Sequence, residues 1–239
     1  MSKFINNSTA NIRPYVGIGR WRFGTKIGSA KAVNSGKCVV SNGCIQCYML
    51  WIDGVGAWQL YVGHSFSIGA PTCEGKSADI TLQANISRQH ATLHCVEENW
   101  QVIARHGTSV SGRTVNSATI LRSGDQLRLG DRVKLGFRLP SVLSSTAVLD
   151  FESNHRPVHS VDGIVLMVDH CLLGPGREQH IFCPDWPDVV VFYVLDGSLR
   201  CRSSLSLKVD GRPPSDSVRL EHGSVVDGKD LRFRIEQIH

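Results

Sequence analysis

Apolar and polar residues alternate with a period of two along most of the chain from Cys47 onward. Val133, Leu135, Phe137 and Leu139 alternate with Lys134, Gly136 and Arg138, as in a strand with one buried face. Residues 48–52 and 57–62 flank Asp53-Gly54-Val55-Gly56 and predict a hairpin. Residues 65–69 predict a third strand, and a long loop over 70–86 surrounds a short segment at 79–82. Further strands are predicted at 90–96, 99–104, 119–121, 126–129 and 133–139. No stretch shows a sustained helical period with caps. Many short strands between Gly-rich turns predict an all-β protein of the β-sandwich class.

The second half follows the first in outline. Leu172-Leu173-Gly174 parallels the strand ending at Gly69, and Val209-Asp210-Gly211-Arg212 parallels Val110-Ser111-Gly112-Arg113. Residues 220–224 parallel 121–125, and 231–235 parallel the closing strand at 133–139. Order and spacing are kept, which predicts an internal duplication and two sandwich domains in tandem. The division read from the sequence is a basic arm over 1–46, a first domain over 47–151, a polar linker over 152–160 and a degenerate second domain over 161–239.

Composition refines this picture in three places. The net charge of +5 is concentrated at the start: residues 1–46 carry Lys3, Arg13, Arg20, Arg22, Lys26, Lys31 and Lys37 and no acid. That leaves 19 basic and 21 acidic residues, or −2, for the remainder. Such an arm is either a solvated tail or a contact for acidic partners, and it is the main feature favouring nucleic acid. The longest apolar run, 163–168, is strand-sized, so no membrane span is expected, and without an apolar leader the expected location is cytoplasmic. Eight cysteines in such a chain are expected as reduced thiols, with Cys95, Cys171 and Cys201 as small core residues.

The candidate chemistry centres on Ser87-Arg88-Gln89-His90, which leads into the alternating strand Ala91–Val96. A hydroxyl and a guanidinium fork at a sheet mouth suit a phosphate. The corresponding stretch of the second half, Pro187-Asp188-Val189-Val190-Val191, lacks the cluster. Cys44-x-x-Cys47 with Cys38 upstream resembles half a zinc site, with His64 or Cys73 as a distant fourth ligand; without a second Cys-x-x-Cys, loop thiols are the expected outcome and no metal is assigned. Gly17–Gly24 interleaves Gly, Arg and aromatic residues and is expected as an arm. Gly174-Pro175-Gly176-Arg177 is expected as an ordinary turn. Trp51, Trp58 and Trp100 are expected to pack in or between sheets, and Trp186, between Pro184 and Pro187, to pack rather than to anchor a partner. There are no paired carboxylates in a shared motif, no phosphate-cradling loop with Lys and no Ser/His/Asp arrangement, so neither an enzyme nor a cofactor is expected.

Ile68-Gly69, Ser87-Arg88-x-His90-Ala91, Trp100, Ser111-Gly112-x-x-Val115-Asn116 and Gly124-Asp125-x-Leu127-x-Leu129-Gly130 together resemble the forkhead-associated (FHA) domain, over roughly residues 48–140. The resemblance implies an FHA/SMAD-like β-sandwich that binds phosphothreonine peptides through loops at one end, so the expected partner is a phosphorylated or acidic protein. It implies Ser87 and Arg88 as phosphate contacts and His90 as a loop brace, with Gly69 and Gly112 as structural glycines. Ser111-Gly112 falls where the family holds peptide backbone, and Ser111 and Arg113 complete the expected phosphopeptide contacts. The residue after Gly69 is Ala70, so the family's phosphate-binding Arg is missing, and Ser111-Gly112 replaces an Asn-Gly pair. Arg113, Lys76 or Arg105 are the cations available to compensate. The expected function is a non-catalytic phosphopeptide-reading module, weakened at these positions. The rival is an FHA-fold scaffold that binds partners without regard to phosphate.

Overall fold

Alternating residues form strands because β-branched and aromatic side chains fit a pleated surface buried on one side. The computed structural model describes residues 45–73, 75, 77–214 and 217–238, which contain 21 strands and no helix. The first hairpin is β1 (Gln46–Ile52) and β2 (Gly56–Val62), followed by β3 (Ser65–Gly69), β4 (Ile80–Thr81), β5 (Ala91–Val96) and β6 (Asn99–Ala104). Then come β7 (Thr108–Val110), β8 (Arg113–Thr114), β9 (Thr119–Ile120), β10 (Gln126–Leu129), β11 (Val133–Arg138) and β12 (Ala147–Phe151). The second half supplies β13 (Gly163–Met167), β14 (His170–Gly174), β15 (Ile181–Phe182), β16 (Val190–Leu195) and β17 (Ser198–Ser203). It closes with β18 (Lys208–Val209), β19 (Val218–Arg219), β20 (Val225–Gly228) and β21 (Leu231–Ile238).

These strands build two sandwiches that share one sheet. The shared sheet has eleven strands in the order β18-β20-β21-β1-β2-β13-β12-β11-β10-β7-β8. A five-stranded sheet β4-β3-β5-β6-β9 completes the first sandwich, and β15-β14-β16-β17-β19 completes the second. The join is a parallel pairing of β2 with β13, from Trp58 opposite Gly163 to Val62 opposite Met167. Side chains of a strand alternate between faces, and here the two faces enter different cores. Ile164 and Leu166 enter the first core, with Phe66, Leu93, Trp100 and Phe137. Val165 and Met167 enter the second, with Phe192, Phe233 and Trp186. Strands apolar on both faces are the signature of this central position.

The pairing also redraws the expected boundary. Strand β1, placed with the first domain on sequence grounds, pairs with β21 and sends Tyr48, Leu50 and Ile52 into the second core. Residues 152–160 lie against the first sandwich: Gln83 N–H donates to Arg156 O at 2.8 Å, Glu152 N–H donates to Lys134 O at 3.1 Å, and the Arg156 guanidinium sits 4.4 Å from the Phe151 ring centre.

The registers of the two halves match. Ile68 opposite Ala91 corresponds to Leu173 opposite Val190, and Ile68 opposite Ile80 to Leu173 opposite Ile181. The β5–β6 turn (Glu97, Glu98) and the β16–β17 turn (Asp196, Gly197) both have two left-handed residues, the backbone that a two-residue hairpin prefers. A clip between two turns is also repeated with its groups exchanged. Ser111 Oγ donates to Asp125 Oδ1 at 2.7 Å, whereas Ser224 Oγ donates to Asp210 Oδ2 at 3.3 Å.

Trp100 is buried, and its indole N–H donates to Ser145 O at 2.7 Å. Trp186 is buried and stacks on Phe233 with ring centres 6.0 Å apart. Trp51 departs from the expected packing: it is 43% exposed, although Met49 on the same side of β1 is buried against Ala57 and Val161. Trp58 lies over Gly163, where an added Cβ would fall 2.3 Å from the indole ring. Gly163→Ala should therefore destabilise the protein by about 1–3 kcal/mol through overpacking. A urea midpoint equal to that of the unsubstituted protein would contradict this close contact.

Candidate functional site

The turn before β5 is held by one imidazole. Ser87 N–H donates to His90 Nδ1 at 3.3 Å, and His90 Nε2 lies 3.0 Å from Gly107 O. These partners require a lone pair on Nδ1 and a proton on Nε2, the neutral form of the ring. The His90 backbone ties the same loops: its N–H donates to Ile68 O at 2.8 Å, and its O accepts from Arg105 N–H at 2.9 Å and His106 N–H at 3.2 Å. Burial holds the His90 imidazole below the usual histidine range; the bond to Gly107 acts against this and the nearby His106 adds to it.

Gly69 is dictated by a close approach. A Cβ there would lie 2.0 Å from Arg88 O and 2.8 Å from Ser87 O. The bare backbone lets the 87–88 turn lie against the end of β3, where Ala70 N–H donates to Ser87 O at 3.1 Å. The base of the following loop is clipped by Asp79, whose Oδ2 accepts from Ser67 N–H at 2.8 Å and Ser67 Oγ at 2.5 Å.

Around this brace the polar groups are free. Among the described residues the Ser87 hydroxyl and the Arg88 and Arg105 guanidiniums have no hydrogen-bond or ion-pair partner, and Arg88, Arg105 and His106 are exposed. The structure thus gathers Ser87, Arg88 and His90 with Gly69, Arg105 and His106 at one end of the sandwich. Lys76 lies outside the described residues.

Ser111, Gly112 and Arg113 sit elsewhere. They form the β7–β8 turn, at the far end of β7 from the Gly107 that His90 holds. Ser111 and Gly112 have φ of +46° and +81°, so Gly112 answers to a left-handed turn position. The Ser111 hydroxyl is committed to Asp125. The loop that meets the Ser87 turn is 105–107, and His106 was not singled out in the sequence. Its signal was only positional: it precedes a Gly at the mouth of β7.

The equivalent end of the second sandwich has different chemistry. By register, Val189 stands for His90, and Trp186 and Pro187 stand for Ser87 and Arg88, one residue earlier than the sequence comparison suggested. Asp188, which stands for Gln89, accepts from Val189 N–H at 2.7 Å and from the Ser204 hydroxyl, which puts a carboxylate next to the position of Arg88.

Among the described residues no group of three or more His, Cys, Asp or Glu is placed to hold a metal. Cys38, Cys44 and the Gly17–Gly24 run lie outside them. Cys47 is half-buried, and burial pushes its thiol up to about 11. Cys95, Cys171, Cys183 and Cys201 are buried, with thiols likewise pushed up by burial. No helix of the described residues is long and apolar enough to cross a membrane.

Two buried histidines set an acid limit on the fold. Burial pushes His180 down to about 4, and its Nδ1 accepts from Leu172 N–H at 2.9 Å. An unfolded chain takes up these protons near pH 6.5. The stability from keeping both rings neutral is present above that pH and lost as pH falls toward 4. For His180 this is about 3 kcal/mol. The urea midpoint should fall between pH 6.5 and 4.5; a flat profile there would contradict the neutral, buried rings.

Comparison with known proteins gives a partial match. The FHA domain family model matches residues 66–130. No curated protein matches the chain. A solved structure of the Rv0020c FHA domain is 22% identical, with 37% of this chain and 89% of that one covered and a TM-score of 0.25. The N-terminal FHA domain from EssC, a component of the bacterial Type VII secretion apparatus, is 12% identical, with 80% and 94% covered and a TM-score of 0.23.

Proposed function

We propose, from the FHA domain that this chain carries at residues 66–130, that the protein reads phosphothreonine-bearing segments of partner proteins through the Ser87 end of its first sandwich. The observation that carries this reading is the unpartnered Ser87 hydroxyl beside the unpartnered Arg88, on a turn fixed by His90. A phosphate brings up to two charges and acceptor oxygens on every side. Ser87 donates one hydroxyl bond, Arg88 supplies a charged fork, and Arg105 adds a second cation from the loop that His90 joins to the first. The reading assigns Arg105, on the loop that His90 holds, to offset the Arg that Ala70 replaces. Ser111 and Arg113 belong to this reading only for a peptide long enough to reach the far end of β7. The matched registers support reading the second sandwich as a diverged copy, and Asp188 at its equivalent end argues against phosphate there.

A scaffold that binds regardless of phosphate is the second reading. It is favoured by the shared eleven-stranded sheet, which joins both sandwiches by continuous strand pairing. Fluorescence anisotropy separates the two, using a degenerate phosphothreonine peptide library and its unphosphorylated twin. The reader binds only the phosphorylated library. Ser87→Ala or Arg88→Gln should weaken that binding about ten- to a hundredfold, the loss expected for one charge-assisted hydrogen bond. Equal binding of both libraries, or no effect of either substitution, would contradict the phosphate reading and favour the scaffold.

A further inference from the structure

The outer face of the sheet β15-β14-β16-β17-β19 differs from its counterpart in the first sandwich. Strand pairing aligns His170, Tyr193, Arg200 and Arg219 in one row across four strands. The next row is Leu172, Val191 and Arg202. The matching rows of the first sandwich are Ser65, His94, Gln101 and Ile120, then Ser67, Thr92 and Ile103. Arginines thus stand where the first sandwich has Gln101, Ile120 and Ile103.

The fold neutralises this row only at its two ends. Like charges directly opposite on paired strands are destabilising, yet Arg200 stands opposite Arg219. Carboxylates lie only at its margins: Glu221 is 3.6 Å from Arg219, and Asp169 is 3.5 Å from His170. Arg200 donates to Ser217 Oγ at 3.1 Å, which meets the Tyr193 hydroxyl at 2.5 Å, and its Nε is buried with no acceptor. Arg202 lies 5.6 Å from the Tyr193 ring centre and has no ion pair among the described residues.

We propose that this face docks an acidic segment of a partner protein, whose carboxylates sit against Arg200, Arg202 and Arg219. A guanidinium fork matches a carboxylate with two parallel bonds, and such a ligand relieves the Arg200–Arg219 repulsion. Leu172, Val191 and the 47% exposed Leu195 give apolar ground beside the charges. Single-stranded nucleic acid also suits basic sheets, but it needs open rings for its bases. Here Arg202 covers Tyr193, and Arg177 covers Phe182 at 5.7 Å. The three cations are also clustered on adjacent strands rather than drawn out along a phosphate track. The docking face is independent of the Ser87 end.

The test uses the full chain and three labelled probes: a peptide alternating Glu and Leu, its Gln counterpart, and an oligo-dT of similar length. Anisotropy should show the Glu peptide binding most tightly, with salt weakening it. Arg202→Gln with Arg219→Gln, both at exposed positions, should weaken that binding about tenfold or more. Arg132→Gln, a lost charge on the other sandwich, should leave it unchanged. Amide shifts at Val191 and Tyr193 on titration give a readout that needs no variant. Equal binding of the Glu and Gln peptides would overturn the proposal. So would an unchanged affinity in a double variant with a native melting curve, shifts confined to other strands, or tighter binding of the oligonucleotide.

Discussion

The parallel pairing of β2 with β13 is the constraint on which the rest of the molecule depends. It makes one sheet of strands from both halves, and the alternation of side chains then assigns successive residues to opposite cores. Ile164 and Leu166 serve the first, Val165 and Met167 the second. Each such side chain, fully buried, contributes about 1.5–3 kcal/mol, so neither core is complete without strands held in place by the other. Hairpin β1–β2 sharpens the dependence, because the first strand of the chain's described part closes the sandwich that the last strand begins.

A sheet shared by both sandwiches leaves recognition to the parts that project from it. At the end of the first sandwich, one neutral imidazole satisfies the backbone of two loops, so the hydroxyl and guanidiniums beside it remain free for a ligand. At the equivalent end of the second, that role has gone: Val189 replaces the imidazole, and Trp186 turns inward onto Phe233. The second sandwich instead carries its cations on the outer face of a sheet, where the first is neutral. One fold thus presents two surfaces of different chemistry, which is the freedom that a stable scaffold gives to its loops and exposed faces.

Much of this was legible in the sequence because half-buried strands write their period into it. The alternation at 133–139 became β11, and the hairpin read at 48–62 became β1 and β2. What the period cannot carry is which strand lies beside which. Nothing local in Tyr48–Ile52 announces a partner at Phe233–Gln237, so the chain divided naturally, but differently, at 152–160. The same limit explains Trp51, which alternation places on the same face of β1 as Met49 without saying that Met49 is covered and Trp51 meets water. At the site, Ser87, Arg88 and His90 were legible because they are contiguous and lead into a strand. Ser111 resembled a recognition residue by neighbourhood alone, and its left-handed backbone and bond to Asp125 account for it without a ligand. His106 went unremarked because its position follows from a carbonyl, Gly107 O, that sequence does not distinguish from any other.

Native-state hydrogen exchange tests the interdependence of the two sandwiches most directly. Amides of Leu60 and Val165 in the joining strands, Leu93 in the first sandwich and Phe192 in the second should exchange only through one common opening, with the same free energy and the same dependence on denaturant. Protection that fails in Phe192 while Leu93 holds its full value, or the reverse, would mean that the sandwiches open separately and that the shared sheet does not bind their stability together.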